Sequence, residues 1–464
     1  MEARGFESRY PKPGWVEQDP LEIWQAQLAA ARATLEAAGA RASSIAGIGI
    51  TNQRETTVVW DRRTGAAVSP AIVWQCRRTA DYCRSMPESD RAAVKKTTGL
   101  IVDAYFSASK VRWILENVDG ARERARNGDL LFGNIDTWLI WKLTGGQVHV
   151  TDVSNASRTM LMNLSSGEWD RAMLDLFDIP DAMLPRIVPS AGAVGRTSGD
   201  LLGDEIPVAG IAGDQQAALV GQACFRPGLS KNTYGTGCFA LLHAGKTAPS
   251  SENGLLATRA ASAKAVSEFA VEGSVFVAGA AVQWLRDQLG LIKTAAESDA
   301  VARSTPDTGE VYVVPAFVGL GAPHWDGAAR GLICGLTRGT TAAHIVRATL
   351  ESIAYQTREL VEAMEADTGI QLHELRVDGG AAANDFLMQF QADILGRRIV
   401  RPADTETTAL GAAYLAGLAT GFWPSVEAVE SFWRVDRAFE PEMPESTREE
   451  LYAGWKTAVG RCKS

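Results

Sequence analysis

Gly210-Ile-Ala-Gly-Asp214-Gln215-Gln216, Asn232-Thr-Tyr-Gly235-Thr236-Gly237-Cys-Phe239 and Val377-Asp378-Gly379-Gly380-Ala-Ala-Ala-Asn384 decide how this chain of 464 residues folds. Each stretch accompanies an apolar, strand-like run and is rich in glycine with threonine or acidic residues. Glycine has no Cβ, so backbone N–H groups there approach phosphate oxygens closely, and a threonine hydroxyl adds a donor. A loop that runs into a helix N-terminus adds a favourable dipole for an anion. One such loop is compatible with a plain tight turn, and Asp214 alone with an N-cap for a helix over 215–220. Three of them interleaved with strands point to nucleotide binding.

Outward from these loops, helices and strands alternate. The spacing of Trp24, Leu28, Ala31, Leu35 and Ala38 predicts a helix over 19–39, with Asp19 as N-cap, Pro20 at the first position, Glu22 completing a capping-box-like start and Gly39 as the stop. Strands are predicted over 44–51, 56–60 and 71–75. Gly47 and Gly49 in the first mark a face against which something packs closely. A second half brings a strand over 311–317, a long helix over 344–367 ended by Gly369, a strand over 375–378 and a helix from about Asn384. The pattern predicts an α/β protein of two domains, 1–222 and 223–464.

Composition removes several classes. The chain carries 46 Lys+Arg against 55 Asp+Glu, a net charge of −9, which argues against nucleic acid as the main partner. Apolar residues make up 46 %, too many for a disordered chain. No run reaches the roughly 18 residues of a spanning helix, and the longest, 276–285 and 311–321, read as core. The six cysteines form no C-x-x-C pair and the five histidines are isolated, so no zinc site is expected and a reducing cytoplasm is. Gly245-Lys246-Thr247 is no P-loop, because Ala240 stands where its first glycine belongs. Gly235-x-Gly237-x-x-Ala240 precedes a strand-like Leu241-Leu242-His243, not the helix that a dinucleotide fingerprint opens.

Longer motifs carry a resemblance. Tyr105-Phe-Ser-Ala-Ser-Lys110-Val-Arg-Trp113-Ile-Leu-Glu-Asn117, and Gly331-Leu-Ile-Cys-Gly335-Leu followed by His344-Ile-Val-Arg-Ala-Thr-Leu-Glu351, resemble the two signatures of the FGGY family of carbohydrate kinases. Thr51-Asn-Gln-Arg54-Glu55-Thr-Thr, Ile72-Val-Trp74-Gln-Cys-Arg-Arg-Thr79, Asn155-Ala-Ser-Arg-Thr159 and Lys231-Asn-Thr-Tyr-Gly-Thr-Gly-Cys-Phe239 are similar to its glycerol-phosphorylating members. The resemblance implies an actin-like ATPase (ribonuclease H-like) fold, two related domains with an active cleft between them, ATP and Mg²⁺ as cofactors, and a homo-oligomer. It implies glycerol contacts at Arg54, Glu55, Trp74, Tyr105, Asp214, Gln215 and Phe239, with Trp74 and Phe239 as the apolar wall. It makes Asp214 the catalytic base, near Mg²⁺, and implies nucleotide contacts at Thr236, Gly279, Gln283, Gly380 and Asn384. Residues 407–417, rich in small side chains, match an inter-domain helix, or equally an ordinary packed one.

Two departures carry expectations of their own. FGGY kinases open with a hairpin bearing an Asp-x-Gly-Thr-Thr/Ser phosphate loop, and here Tyr10-Pro-Lys-Pro-Gly-Trp-Val-Glu already matches the segment beyond it. A misplaced start or truncated gene is therefore expected, with two strands of the first sheet missing and exposed edges. Weak glycerol binding and slow or absent transfer would follow, leaving an impaired kinase with a binding role, or a kinase for another polyol, as alternatives. Members inhibited by fructose-1,6-bisphosphate carry an arginine shortly before an Ile-Pro pair. Here the stretch is Leu202-Gly-Asp204-Glu205-Ile-Pro207, and its carboxylates would repel a bisphosphate.

Overall fold

Asn52 and Gly213 are opposite each other at the carboxyl ends of two parallel strands, Ile48–Asn52 and Pro207–Gly213. The strand Ala191–Arg196 joins antiparallel on the far side of Pro207–Gly213, so Ile48–Asn52 forms an edge of this three-stranded sheet. The computed structural model describes residues 1–262 and 266–463. They cluster into two units: Met1–Gly221 with Ala257–Phe269 and Thr408–Glu430, and Gln222–Leu256 with Ala270–Thr407 and Ser431–Ser464. The units are thus not two sequential blocks, because two later segments return to the first.

In unit 1 the central strand Pro207–Gly213 is buried on both faces, and Val208, Ala209, Ile211 and Ala212 are fully enclosed. That is why 207–213 reads as a continuous apolar run instead of an alternating one. One core joins Ile50, Val58, Trp60, Leu131, Trp138 and Ile211, with Trp60 edge-to-face on Trp138 at 5.3 Å. Side chains such as Val58 and Ile211 each stabilise the fold by roughly 1.5–3 kcal/mol through burial. The close packing expected at 44–51 is present, and its partner is the helix Thr407–Ala419. A Cβ on Gly49 would stand 2.1 Å from the carbonyl oxygen of Ala412, and one on Gly411 1.8 Å from that of Ala217.

Caps were legible and strand lengths less so. The first helix spans Pro20–Ala38, Asp19 accepts from the Leu21 amide and Gly39 closes it at φ 58°. Glu22 does not complete a capping box; its carboxylate pairs with Arg9 at 2.7 Å. The strand expected over 44–51 shortens to Ile48–Asn52 because Ala42–Ser44 coil into a 3-10 turn. Those expected over 56–60 and 71–75 become Val58–Asp61 and Ala71–Ile72.

Unit 2 repeats the motif. Leu229–Tyr234 runs parallel to Glu374–Asp378, with Thr233 opposite Asp378, and antiparallel to Cys238–Gly245. Arg398–Pro402 extends the sheet in parallel and Val435–Phe439 antiparallel. The long helix is Ala342–Thr368, opened by a Thr341–His344 capping box and closed by Gly369 at φ 67°. The segment 311–321 is only partly core: its strand is Tyr312–Val314, and Phe317 and Val318 are exposed. Phe276, read as core, is exposed too. All six cysteines are free thiols, and no described helix is long and apolar enough to cross a membrane.

Candidate active site

In unit 1, the register that pairs Asn52 with Gly213 brings the two following turns side by side. Arg54 Nε lies 3.0 Å from Asp214 Oδ1, and Arg54 Nη1 donates to Gln216 Oε1 at 3.1 Å. Gly213 makes room for this, since a Cβ there would stand 2.6 Å from Arg54 Cδ. Gln216 in turn donates to Thr258 Oγ1 at 3.0 Å. The Arg54 side chain is 2 % exposed and that of Asp214 35 %, so the carboxylate meets solvent while its guanidinium partner does not. Asp214 also accepts from the Gln215 amide at 2.8 Å, opening the helix Asp214–Gly221. Asp214 is thus the first residue of the helix and not a cap preceding it.

Glu55 has φ 61°, and the Thr56 amide donates to the Arg54 carbonyl at 2.7 Å. The i to i+2 bond makes Glu55 the centre of a γ-turn of the strained, positive-φ kind. Its Oε1 accepts from Arg158 Nε at 2.6 Å, both side chains being enclosed, and lies 3.9 Å from Arg54 Nε. Arg158 follows a short polar helix, Val153–Ala156, capped by Asp152. From that helix Ser154 Oγ accepts from the Gly213 amide, and Asn155 Oδ1 from Asn52 Nδ2, each at 3.0 Å. One segment thus fixes the ends of both parallel strands and supplies the partner of Glu55. Burial pushes the Asp152 carboxyl above the usual range.

The aromatic side of unit 1 is Trp74 and Tyr105, edge to face at 5.7 Å and both half-buried. The Arg158 guanidinium carbon is 5.6 Å from the Tyr105 ring centre. Unit 1 therefore gathers Arg54, Glu55, Asp214 and Gln215 around one strand-end constellation, and separately pairs Trp74 with Tyr105. Phe239 belongs to unit 2, in the strand Cys238–Gly245.

In unit 2 the exposed Thr236 turn meets the start of the helix Gly279–Asp287. The Gly279 amide donates to the Gly235 carbonyl at 3.0 Å and the Ala280 amide to that of Thr236 at 3.1 Å. Gly379, at φ 84°, passes so close that a Cβ would stand 2.6 Å from the Tyr234 carbonyl oxygen. These contacts bring Thr236, Gly279 and Gly380 into one neighbourhood, with Gln283 exposed one turn along the helix. Asn384 caps the helix Asp385–Leu395, and its Nδ2 donates to Ser298 Oγ, so its amide is engaged within the protein. Beside Gly380 opens a cavity of about 460 Å³ lined by Arg401, Pro402, Thr405 and Asp436. Asp378, just before the glycines, accepts from Gln222 and Thr407 at 2.8 and 2.6 Å.

Reading the motifs as motifs left three partners unassigned: Arg158, Gln216 and Lys110. All three stand inside or beside quoted segments, and no local spacing indicates which distant side chain each one meets.

Comparisons with known proteins place the chain in a family. The N-terminal domain of the FGGY family of carbohydrate kinases matches residues 1–221 and its C-terminal domain residues 230–420. The chain belongs to that family. It is 60 % identical to the glycerol kinase of Caldanaerobacter subterraneus subsp. tengcongensis over 98 % of this chain and 92 % of that protein. It is 59 % identical to glycerol kinase 2 of Thermotoga maritima, with the same coverage. Among solved structures, Plasmodium falciparum glycerol kinase with ADP superposes with a TM-score of 0.93 at 37 % identity, over 99 % of this chain and 92 % of that one.

Proposed function

We propose that this chain is an ATP-dependent kinase acting on glycerol, forming sn-glycerol 3-phosphate. The observation that supports it best is the half-exposed Asp214 carboxylate held by a buried Arg54 beside Glu55 and Arg158. A neutral triol needs paired donors and acceptors with an apolar wall for its carbons. Arg54 donates, Glu55 and Asp214 accept, Gln215 and Tyr105 do both, and Trp74 supplies the wall. Phe239 is assigned to the same wall.

Asp214 is the general base. It accepts the proton of a terminal hydroxyl as that oxygen attacks the γ-phosphorus of ATP, and the P–O bond to the β-phosphate breaks with the pair leaving on ADP. Phosphoryl transfer is governed by positioning and charge neutralisation more than by basicity, so fixing Asp214 through Arg54 matters as much as its charge. Thr236, the Gly279 helix start, Gln283, Gly380 and Asn384 are assigned to the nucleotide.

No group of three or more His, Cys, Asp or Glu among the described residues could cage a metal. Mg²⁺ keeps several waters and takes one or two carboxylates plus substrate phosphates. Asp214 would hold it through water, and the ion would supply charge neutralisation at the phosphates.

A coupled assay of ADP release with glycerol, xylulose, gluconate and other polyols tests the assignment. The highest kcat/KM is expected for glycerol; a clear preference for another substrate would overturn it.

A further inference from the structure

Lys110 is fully buried in the helix Ser107–Asn117, and its two hydrogen bonds go to main-chain carbonyls. Nζ donates to the Glu55 carbonyl at 3.1 Å and to the Tyr105 carbonyl at 2.5 Å. Glu55 and Tyr105 lie far apart in sequence, and both are assigned to glycerol above. The Glu55 carbonyl also accepts from Thr57 Oγ1 at 3.2 Å and Ser107 Oγ at 3.3 Å. Ser107 Oγ is itself fixed by Asn134 Nδ2, which also holds the Thr56 carbonyl, each at 3.0 Å.

The physical problem solved here is local. A γ-turn at φ 61° strains Glu55 and turns its carbonyl away from the ladder of any strand. An enclosed carbonyl must be paired. Thr57 and Ser107 could satisfy it as neutral donors. An enclosed ammonium is a costly way to do so, and burial pushes Lys110 down to about 8 against the opposing pull of Glu55. What an ammonium adds is reach: its three donors span two chain segments at once, and charge-assisted bonds are the stronger kind.

We propose that Lys110 is a positioning residue for the polyol, locking the peptides of Glu55 and Tyr105 so that the carboxylate and the phenol keep a fixed separation. The inference rests on the reading above that Glu55 and Tyr105 contact the polyol. Lys110 itself touches no substrate. Its loss should therefore act on polyol binding and leave the nucleotide side alone.

The test compares the wild-type chain with Lys110→Met and Lys110→Arg, using glycerol affinity from tryptophan fluorescence or calorimetry, KM for glycerol and for ATP, and thermal unfolding. Lys110→Met is expected to weaken glycerol about tenfold or more while KM for ATP stays within about twofold, and Lys110→Arg, which keeps charge and donors, to recover part of the loss. Glycerol affinity within about twofold of wild type in folded Lys110→Met would overturn the proposal, as would equal rises in both KM values. If neither variant folds, Lys110 is a folding residue and the proposal fails. Wild-type protein that binds another polyol and not glycerol would sink the glycerol reading alone, and the same variants would then be read with that polyol.

Discussion

Arg54 Nε and Asp214 Oδ1 are 3.0 Å apart, with the arginine enclosed and the carboxylate half-open to solvent. Asp214 Oδ1 is held both by Arg54 Nε and by the Gln215 amide. Asp214→Asn keeps the shape and removes the carboxylate proposed as the base. It is expected to lower kcat by about 10²–10⁴-fold while KM for ATP changes by less than about twofold. Steady-state kinetics with both substrates decide it, and kcat close to wild type would remove Asp214 from the role of base.

Glu55 and Arg158 form an ion pair with almost no solvent contact. Glu55→Gln keeps an acceptor for Arg158 Nε and discards the charge. Charge-assisted bonds of this kind contribute about 1.5–3 kcal/mol, so a stability loss of that order is expected, together with weaker glycerol binding. Urea unfolding and a glycerol titration measure the two effects separately. A variant as stable as wild type would mean that the pair gives back in desolvation what it gains in attraction.

How much of this was legible follows from where each determinant lies in the chain. Asp19, Pro20 and Gly39 bounded the first helix because caps act within a few residues. Strand extents were misjudged because pairing partners set them: Ile48–Asn52 ends where Asn52 meets Gly213, a residue far along the chain. Arg54, Glu55 and Asp214, singled out through the family resemblance, do lie together in the fold. Arg158 as the partner of Glu55 was not legible, because only the tertiary fold joins positions 103 residues apart. Lys110 would be placed on the surface by composition alone, yet it is enclosed. Phe317 and Val318 fail the opposite way, apolar in sequence and exposed in the fold.

Asp136 gives a pH-dependent handle on the same unit. Its carboxyl is fully buried, accepts from Thr151 Oγ1 at 2.7 Å, and is raised to about 7 by burial, with the nearby Asp152 adding to the rise. Between about 4 and 7 the folded chain holds a proton that the unfolded chain has released, so this group's contribution to stability falls as pH rises through that window. Asp136→Asn keeps the Thr151 bond and does not titrate. The melting temperature of the variant minus that of wild type should therefore grow from pH 5 to pH 8, by about 1 °C or more. A difference that is flat with pH would show that Asp136 is ionised throughout.

Asp204 and Glu205 are exposed beside a cavity lined by Arg32, Glu36, Arg41 and Asp204. Arg196 Nε stands 3.7 Å from Glu205 Oε2, so that cation is already shared. A bisphosphate would meet mixed charge here and no arginine among residues 197–205, just before Ile206-Pro207. Fructose-1,6-bisphosphate is expected to leave the kinase rate unchanged up to millimolar concentrations, and a saturable dose response would contradict this.

Gly379 and Gly380 are adjacent and should respond differently to a methyl group. Gly379 sits at φ 84°, and a Cβ there would collide with the Tyr234 carbonyl at 2.6 Å, whereas nothing lies within 4 Å of a Cβ at Gly380. Gly379→Ala must therefore adopt a backbone conformation that costs about 1–3 kcal/mol and push apart the ends of two parallel strands. A lower melting temperature and a raised KM for ATP are expected, with glycerol affinity unchanged, because the strands concerned, Leu229–Tyr234 and Glu374–Asp378, carry the loops proposed to bind the nucleotide. Gly380→Ala should melt with wild type. If it nonetheless raises KM for ATP with its melting temperature unchanged, that would locate the bound nucleotide against this peptide. Equal and unchanged ATP kinetics in both variants would remove the Gly379-Gly380 turn from the nucleotide site.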